Sequence, residues 1–143
     1  MEVHIAWPGR EELKARVELD QKNNIVRAEL LGIGGPDFIQ AVSEFRMKLR
    51  GPLSALPLPQ GVSAQAIMLR ELVLRLKGEW SPPYKDDEIC HCRAVPTQVV
   101  DLAICTGAHT PREVSDLTAA STACGTCRPD VEAMINYRLK GTP

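Results

Sequence analysis

Four cysteines stand in two close pairs in the second half of the chain. One residue separates Cys90 from Cys92, two separate Cys124 from Cys127, and 31 residues lie between the pairs. Cysteine thiolates bind zinc and iron–sulfur clusters, and four of them complete either kind of site. Because a 2Fe–2S cluster takes two thiolates on each iron, the two pairs predict such a cluster bound by Cys90, Cys92, Cys124 and Cys127.

The second cysteine pair lies just before a predicted helix start at Pro129. Backbone N–H groups and the helix dipole favour negative charge at such a position, as thiolate ligands require. Gly125 allows the backbone to approach a cluster closely. Arg93 and Arg128 each follow a predicted ligand directly, so they are candidates for raising the reduction potential of the cluster.

Three other interpretations of the cysteines remain open. Structural zinc also takes four cysteines, but its pairs are usually spaced by two to four residues, and Cys90 and Cys92 are closer than that. A redox-active dithiol of Cys124 and Cys127 would leave the first pair unexplained, and four inert buried cysteines would fall into two pairs only by accident. The alternative to a cluster is therefore a zinc-stabilised protein-interaction module. We interpret Cys105 as a small core residue rather than a fifth ligand.

The composition is that of a globular protein, with 44% hydrophobic and 24% charged residues and a net charge of −1. This charge gives no sign of a nucleic-acid partner. We find no signal-peptide pattern and no apolar run of membrane-spanning length. We therefore expect a reducing, cytoplasmic location, where clustered thiols stay available for metal. No nucleophile–base pair or carboxylate dyad is recognisable, so we do not expect an enzyme.

Two domains are predicted, with residues 1–79 and 88–143 joined by a proline-containing linker at 80–87. Period-two alternation over 13–20 and 25–31 predicts a β-hairpin. Helical stripes follow over 37–50, where Gly51 is the expected C-cap, and over 63–77. The fold class is therefore α+β, with a small antiparallel sheet and helices in the first domain.

The second domain is predicted to be all-helical. A helix is expected over 96–105, and Thr110, Pro111 and Glu113 form a capping-box pattern for a second helix that ends near Leu117. A polar loop over 118–123 precedes the last helix, which runs to about Leu139.

The second domain resembles the bacterioferritin-associated ferredoxin-like (BFD-like) 2Fe–2S domain over about residues 88–140. The motifs that resemble this family are Ile89-Cys90-His91-Cys92-Arg93, Gly107-Ala108-His109-Thr110-Pro111 and Cys124-Gly125-Thr126-Cys127. The resemblance implies a helical domain with the four cysteines as ligands. It also implies a role in electron transfer or in iron–sulfur assembly and iron metabolism, with a redox or assembly protein as partner.

The first domain resembles, through Gly32-Ile33-Gly34-Gly35-Pro36 and the helix after it, the NifU/IscU-type scaffold domain that precedes such a module in NifU-like proteins. The scaffold family has a ligand cysteine between two glycines, where this chain has Ile33. No cysteine occurs before Cys90. The first domain is therefore expected to be a degenerate scaffold that does not assemble clusters by the family's route.

Overall fold

The computed structural model describes residues 1–122 and 125–141. The chain divides into two compact units. The first unit comprises Met1–Gly61 and Gln65–Trp80, and the second comprises Val62–Ala64 and Ser81–Pro143. The fold is α+β, as predicted.

The first unit contains an antiparallel sheet in the order β1-β2-β3-β4. Its strands are β1 (Glu2–Ala6), β2 (Glu12–Leu19), β3 (Asn24–Ile33) and β4 (Gly51–Pro52). Charged residues alternate along β2 with the buried Leu13, Ala15 and Val17. One face of the sheet is therefore apolar, as the period-two pattern predicts.

The turn of the β2–β3 hairpin is fixed by a carboxylate. Asp20 Oδ1 accepts hydrogen bonds from the backbone N–H groups of Lys22 (2.8 Å) and Asn24 (2.9 Å). The Asn24 backbone N–H, followed by its side-chain amide, holds the pKa of Asp20 below its ordinary value. Asn23 adopts a left-handed φ of 60°, which asparagine tolerates in turns. The predicted hairpin is therefore confirmed.

Helix α1 (Pro36–Arg46) packs against β3 through Phe38, Val42 and Phe45. It ends earlier than the predicted helix over 37–50, and Gly51 is not its C-cap. The Arg46 guanidinium donates to the Leu30 carbonyl (2.7 and 3.1 Å). Gly51, with a φ of 76°, lies instead in β4 and pairs with Ile25. Gly51 therefore belongs to the sheet and does not cap the helix.

Two glycines before α1 allow its close approach to the sheet. A Cβ on Gly34 would lie 2.7 Å from the Phe38 ring, and one on Gly32 would lie 3.0 Å from both Phe38 and Val42. Ile33 between them is exposed. Packing against Phe38 therefore gives a physical reason for the Gly-x-Gly spacing.

Helix α2 (Ala64–Leu76) confirms the helix predicted over 63–77, but two of its charged residues are buried. The Arg70 guanidinium donates to the carbonyls of Pro59 (3.0 Å) and Gly61 (2.5 Å), which ties the proline-rich segment to the helix. Glu71 forms an ion pair with Arg75 at 2.7 Å. Each buried charge thus has a partner, as burial requires.

The second unit is not purely helical, so that prediction was wrong. Strands β5 (Glu88–Cys90) and β6 (Val95–Pro96) pair antiparallel. Strands of two or three residues are too short to show a period, so the sequence pattern does not reveal them.

The helices of the second unit are α3 (Thr97–Cys105), α4 (Pro111–Thr118) and α5 (Arg128–Lys140). The Thr110 hydroxyl caps α4 by accepting from the Glu113 backbone N–H at 3.2 Å, as predicted. Buried apolar residues from these helices and the small sheet form one core, which includes Ile89, Val100, Ile104, Val114 and Val131. None of the helices in residues 1–122 and 125–141 is long and apolar enough to cross a bilayer.

Candidate metal centre

The first cysteine pair lies on the β5–β6 hairpin. Cys90 is the last residue of β5 and is buried, whereas Cys92 lies in the connecting turn and is exposed. Ala94, with a left-handed φ of 52°, reverses the chain toward β6. Across this tight turn the buried Cys90 is thus followed closely by the exposed Cys92.

Cys127 lies at the N-cap of α5 and is buried. The Val131 N–H bonds to the Cys127 carbonyl at 3.0 Å, and the Arg128 N–H bonds to the Gly125 carbonyl at 3.2 Å. Gly125 has a φ of 70°, a conformation that glycine adopts without strain. The sulfur of Cys127 is therefore near the helix end that carries positive partial charge.

The structure brings Cys90, Cys92 and Cys127 to one cleft of about 110 Å³. The predicted ligand Cys124 falls outside the described residues. The cleft is also lined by Tyr84, Ile89, His91, Thr126 and Asp130. Within residues 1–122 and 125–141, no group of three or more His, Cys, Asp or Glu residues could hold a metal ion by itself. The four-cysteine ligand set therefore stays a prediction, with three of its thiols on one cleft.

Hydroxyl groups lie near these thiols. The Ser121 Oγ lies 2.9 Å from the Cys127 Sγ. The Tyr84 hydroxyl donates to the Glu88 carbonyl at 2.9 Å and so connects the wall of the cleft to β5. Desolvation raises the pKa of Tyr84, and the nearby charges of Asp86 and Asp130 add to this effect. Tyr84 is therefore a neutral hydrogen-bond donor near neutral pH.

The donor set of the cleft fits an iron–sulfur cluster. Three thiols, the N–H end of a helix and a hydroxyl within hydrogen-bond distance of a sulfur are all suited to a negatively charged, sulfur-ligated group. Among the described residues, Cys90, Cys92 and Cys127 would hold a cluster bound in this cleft.

The tuning role predicted for two arginines finds no support in the described lining of the cleft. Among the described residues that line the cleft, neither Arg93 nor Arg128 is present. Both are exposed, and Arg128 forms an ion pair with Glu132 at 3.3 Å. The charged side chain that does line the cleft is Asp130, whose negative charge opposes the reduction of a cluster.

Two other chemically capable side chains lie outside the thiol arrangement. His91 is exposed, and its Nδ1 lies 3.3 Å from Glu88 Oε1. Cys105 is buried at the end of α3, where its Sγ is 4.0 Å from Asp101 Oδ1. Asp101 in turn forms a two-pronged ion pair with Arg138, with both N–O distances at 2.7 Å. Cys105 thus belongs to the packing of α3 and α5.

Sequence reasoning did not identify Tyr84, Asp130 and Ser121 as parts of the site. Asp130 had a local signal, because the first turn of a helix that begins beside a ligand must lie near that ligand. Tertiary packing brings Tyr84 to the cleft and the Ser121 hydroxyl to the Cys127 sulfur, and the sequence has no spacing rule for either.

Comparison with known proteins finds a family match for part of the chain. Residues 88–137 match the family described as BFD-like 2Fe–2S binding domain. No match supports a NifU/IscU-like domain before this segment. Searches of the curated proteins and of the solved structures found no match. The family match therefore indicates iron–sulfur binding by the second unit.

Proposed function

We propose that residues 88–140 bind a 2Fe–2S cluster through Cys90, Cys92, Cys124 and Cys127. The observation that supports this most directly is the common cleft of Cys90, Cys92 and Cys127, which lies within the segment that matches the BFD-like family. The sequence places Cys127 37 residues after Cys90, so their meeting depends on the tertiary packing of the second unit.

The residues of the cleft have distinct parts in this proposal. When bound, the cluster supplies one-electron redox chemistry. Cys90 and Cys127 hold it from the buried side, and Ile89 excludes water there. Cys92, which is exposed, leaves the opposite side open to solvent. Electron transfer requires close approach of a partner, and the exposed side of the cleft permits it.

The proposed role is that of an electron carrier or of an accessory in iron–sulfur assembly or iron metabolism, and not that of an enzyme. Its partner would be a redox protein or an assembly protein in the cytoplasm. The first unit supplies no thiol, because no cysteine precedes Cys90. If the chain acts in assembly as a degenerate NifU-like protein, the cluster it delivers must be the one held by the second unit.

The proposal is tested by measuring iron and acid-labile sulfide in protein purified without oxygen. We expect equal amounts of iron and sulfide, visible absorption that dithionite bleaches, and an electron paramagnetic resonance signal on reduction. Cys90→Ser and Cys127→Ser should lose these signals. Cys105→Ala is the matched control and should retain them, since Cys105 lies outside the cleft.

A protein that binds zinc, contains no labile sulfide and cannot be reconstituted with iron and sulfide would refute the proposal.

To distinguish a role in electron transfer from a role in assembly, the cluster-loaded protein is mixed with a cluster-free ferredoxin. Transfer of the cluster to the ferredoxin would favour assembly, and retention of the cluster with reversible reduction would favour electron transfer.

A further inference from the structure

We propose that Ser121 is a positioning residue that donates a hydrogen bond to the sulfur of Cys127 and thereby raises the reduction potential of the bound cluster. This inference rests on the proposed function. It concerns a residue in the loop before the second cysteine pair, where the sequence pattern shows only small polar residues.

The first observation is the contact between the Ser121 hydroxyl and the Cys127 sulfur. The Ser121 Oγ is 2.9 Å from the Cys127 Sγ, which is buried. A metal-bound thiolate has no proton to donate, so the hydroxyl must be the donor in the loaded protein. A hydrogen bond to a charged acceptor is stronger than one between neutral groups.

The backbone of Ser121 is the second observation. Its φ of 63° is in the left-handed region, which residues with a side chain rarely adopt. Such strain persists only where surrounding interactions hold it, and it is frequent at functional sites. The backbone here places the serine hydroxyl against the sulfur at the cost of this strain.

Three other hydroxyls hold the loop in this conformation. Ser115 Oγ donates to the Ala120 carbonyl at 2.6 Å, and the Ala120 N–H donates to Thr118 Oγ1 at 3.2 Å. Thr122 Oγ1 donates to the Ala119 carbonyl at 2.6 Å. These side chains bond to the loop backbone, whereas Ser121 bonds to the sulfur. Ser121 therefore differs from these neighbours in its hydrogen-bond partner.

The effect on reduction follows from charge. Reduction adds an electron to the cluster and its thiolates, so a donor at a ligand sulfur binds the reduced form more strongly than the oxidised form. Asp130, on the same cleft, acts in the opposite direction. Among the hydrogen bonds described for Cys127, the one from the Ser121 hydroxyl supplies this effect.

The test compares the reduction potentials of reconstituted variants by spectroscopic redox titration. Ser121→Ala removes the hydroxyl, and Ser121→Gly removes the hydroxyl and also relieves the left-handed strain. Thr122→Ala is the control, because it removes a loop hydroxyl that bonds to Ala119 and not to the sulfur. We expect both Ser121 variants to lower the reduced-to-oxidised ratio at a fixed solution potential by up to about tenfold, equivalent to about 59 mV for a one-electron couple. We also expect shifted sulfur-to-iron charge-transfer bands, with Thr122→Ala unchanged in both.

The outcomes separate this inference from the proposed function. If the wild type holds a cluster and the Ser121 variants have the same potential and spectrum as Thr122→Ala, the inference is wrong and the proposed function stands. If the wild type takes up no cluster, the proposed function is wrong. The sulfur-to-metal charge-transfer band of the cobalt-loaded protein then decides whether Ser121 donates to the Cys127 sulfur. That hydrogen bond should shift the band between wild type and Ser121→Ala, and an unshifted band would overturn the inference. A wild type that takes up neither metal overturns both.

Discussion

Gly34→Ala should destabilise the first unit, because the added methyl group collides with a buried ring. The new Cβ would lie 2.7 Å from Phe38 Cδ1 and 3.2 Å from Glu11 Cγ. Carbon atoms attract best at about 3.5–4.0 Å, so the contact with the ring is well inside the repulsive range. Phe38 is only 4% exposed, so its ring is packed among other side chains of the unit. Overpacking of this kind costs about 1–3 kcal/mol.

The matched control is Gly35→Ala, the next residue along the chain. Its Cβ would meet nothing within 4 Å, and its φ of −72° suits any residue. Gly35 is the N-cap of α1, where alanine is less favourable than glycine, but alanine also lowers the entropy of the unfolded chain. These two effects largely cancel, so Gly35→Ala should stay within about 0.5 kcal/mol of the wild type.

Urea unfolding and thermal melting of both variants provide the assay. For a unit of this size, each kcal/mol of destabilisation lowers the melting temperature by roughly 4–8 °C. Gly34→Ala should therefore melt clearly below Gly35→Ala, with the same dependence on urea concentration. Equal melting temperatures for the two variants would refute the reasoning that packing against Phe38 requires the glycine.

Two further predictions concern charged groups. Asp101→Ala should destabilise the second unit by about 1–3 kcal/mol in urea unfolding, because the buried Arg138 guanidinium loses both of its bonds to the carboxylate; unchanged unfolding would show that Arg138 finds another partner. Asp20 has a folded pKa below its unfolded value, so its stabilisation is present above about pH 4 and is lost as pH falls through the folded pKa. The difference in urea midpoint between wild type and Asp20→Ala should therefore be larger at pH 7 than at pH 3, and a difference that does not vary with pH would contradict this.

Local patterns in the sequence predicted the elements whose signals are local. The β2–β3 hairpin follows from alternation and a turn, α2 follows from helical spacing, and the cap at Thr110 follows from a four-residue motif. Each of these elements depends on residues a few positions apart in the sequence. Their conformational preferences can therefore be recognised without the tertiary structure. The prediction failed where a contact between residues far apart in the sequence determines the structure. At the end of α1, Gly51 pairs with Ile25 in the sheet instead of capping the helix.

The sequence by itself determined which side chains are available for chemistry, namely thiols in two pairs and a helix start beside the second pair. Only the tertiary structure decided that Cys90, Cys92 and Cys127 meet at one cleft, that Cys92 is its exposed member, and that Tyr84 and Asp130 share it. It also decided that the Ser121 hydroxyl lies 2.9 Å from the Cys127 sulfur. The physical reason is that spacing along the chain fixes only local geometry, whereas the surroundings of a sulfur depend on how β5, the loop after α4 and the start of α5 pack together.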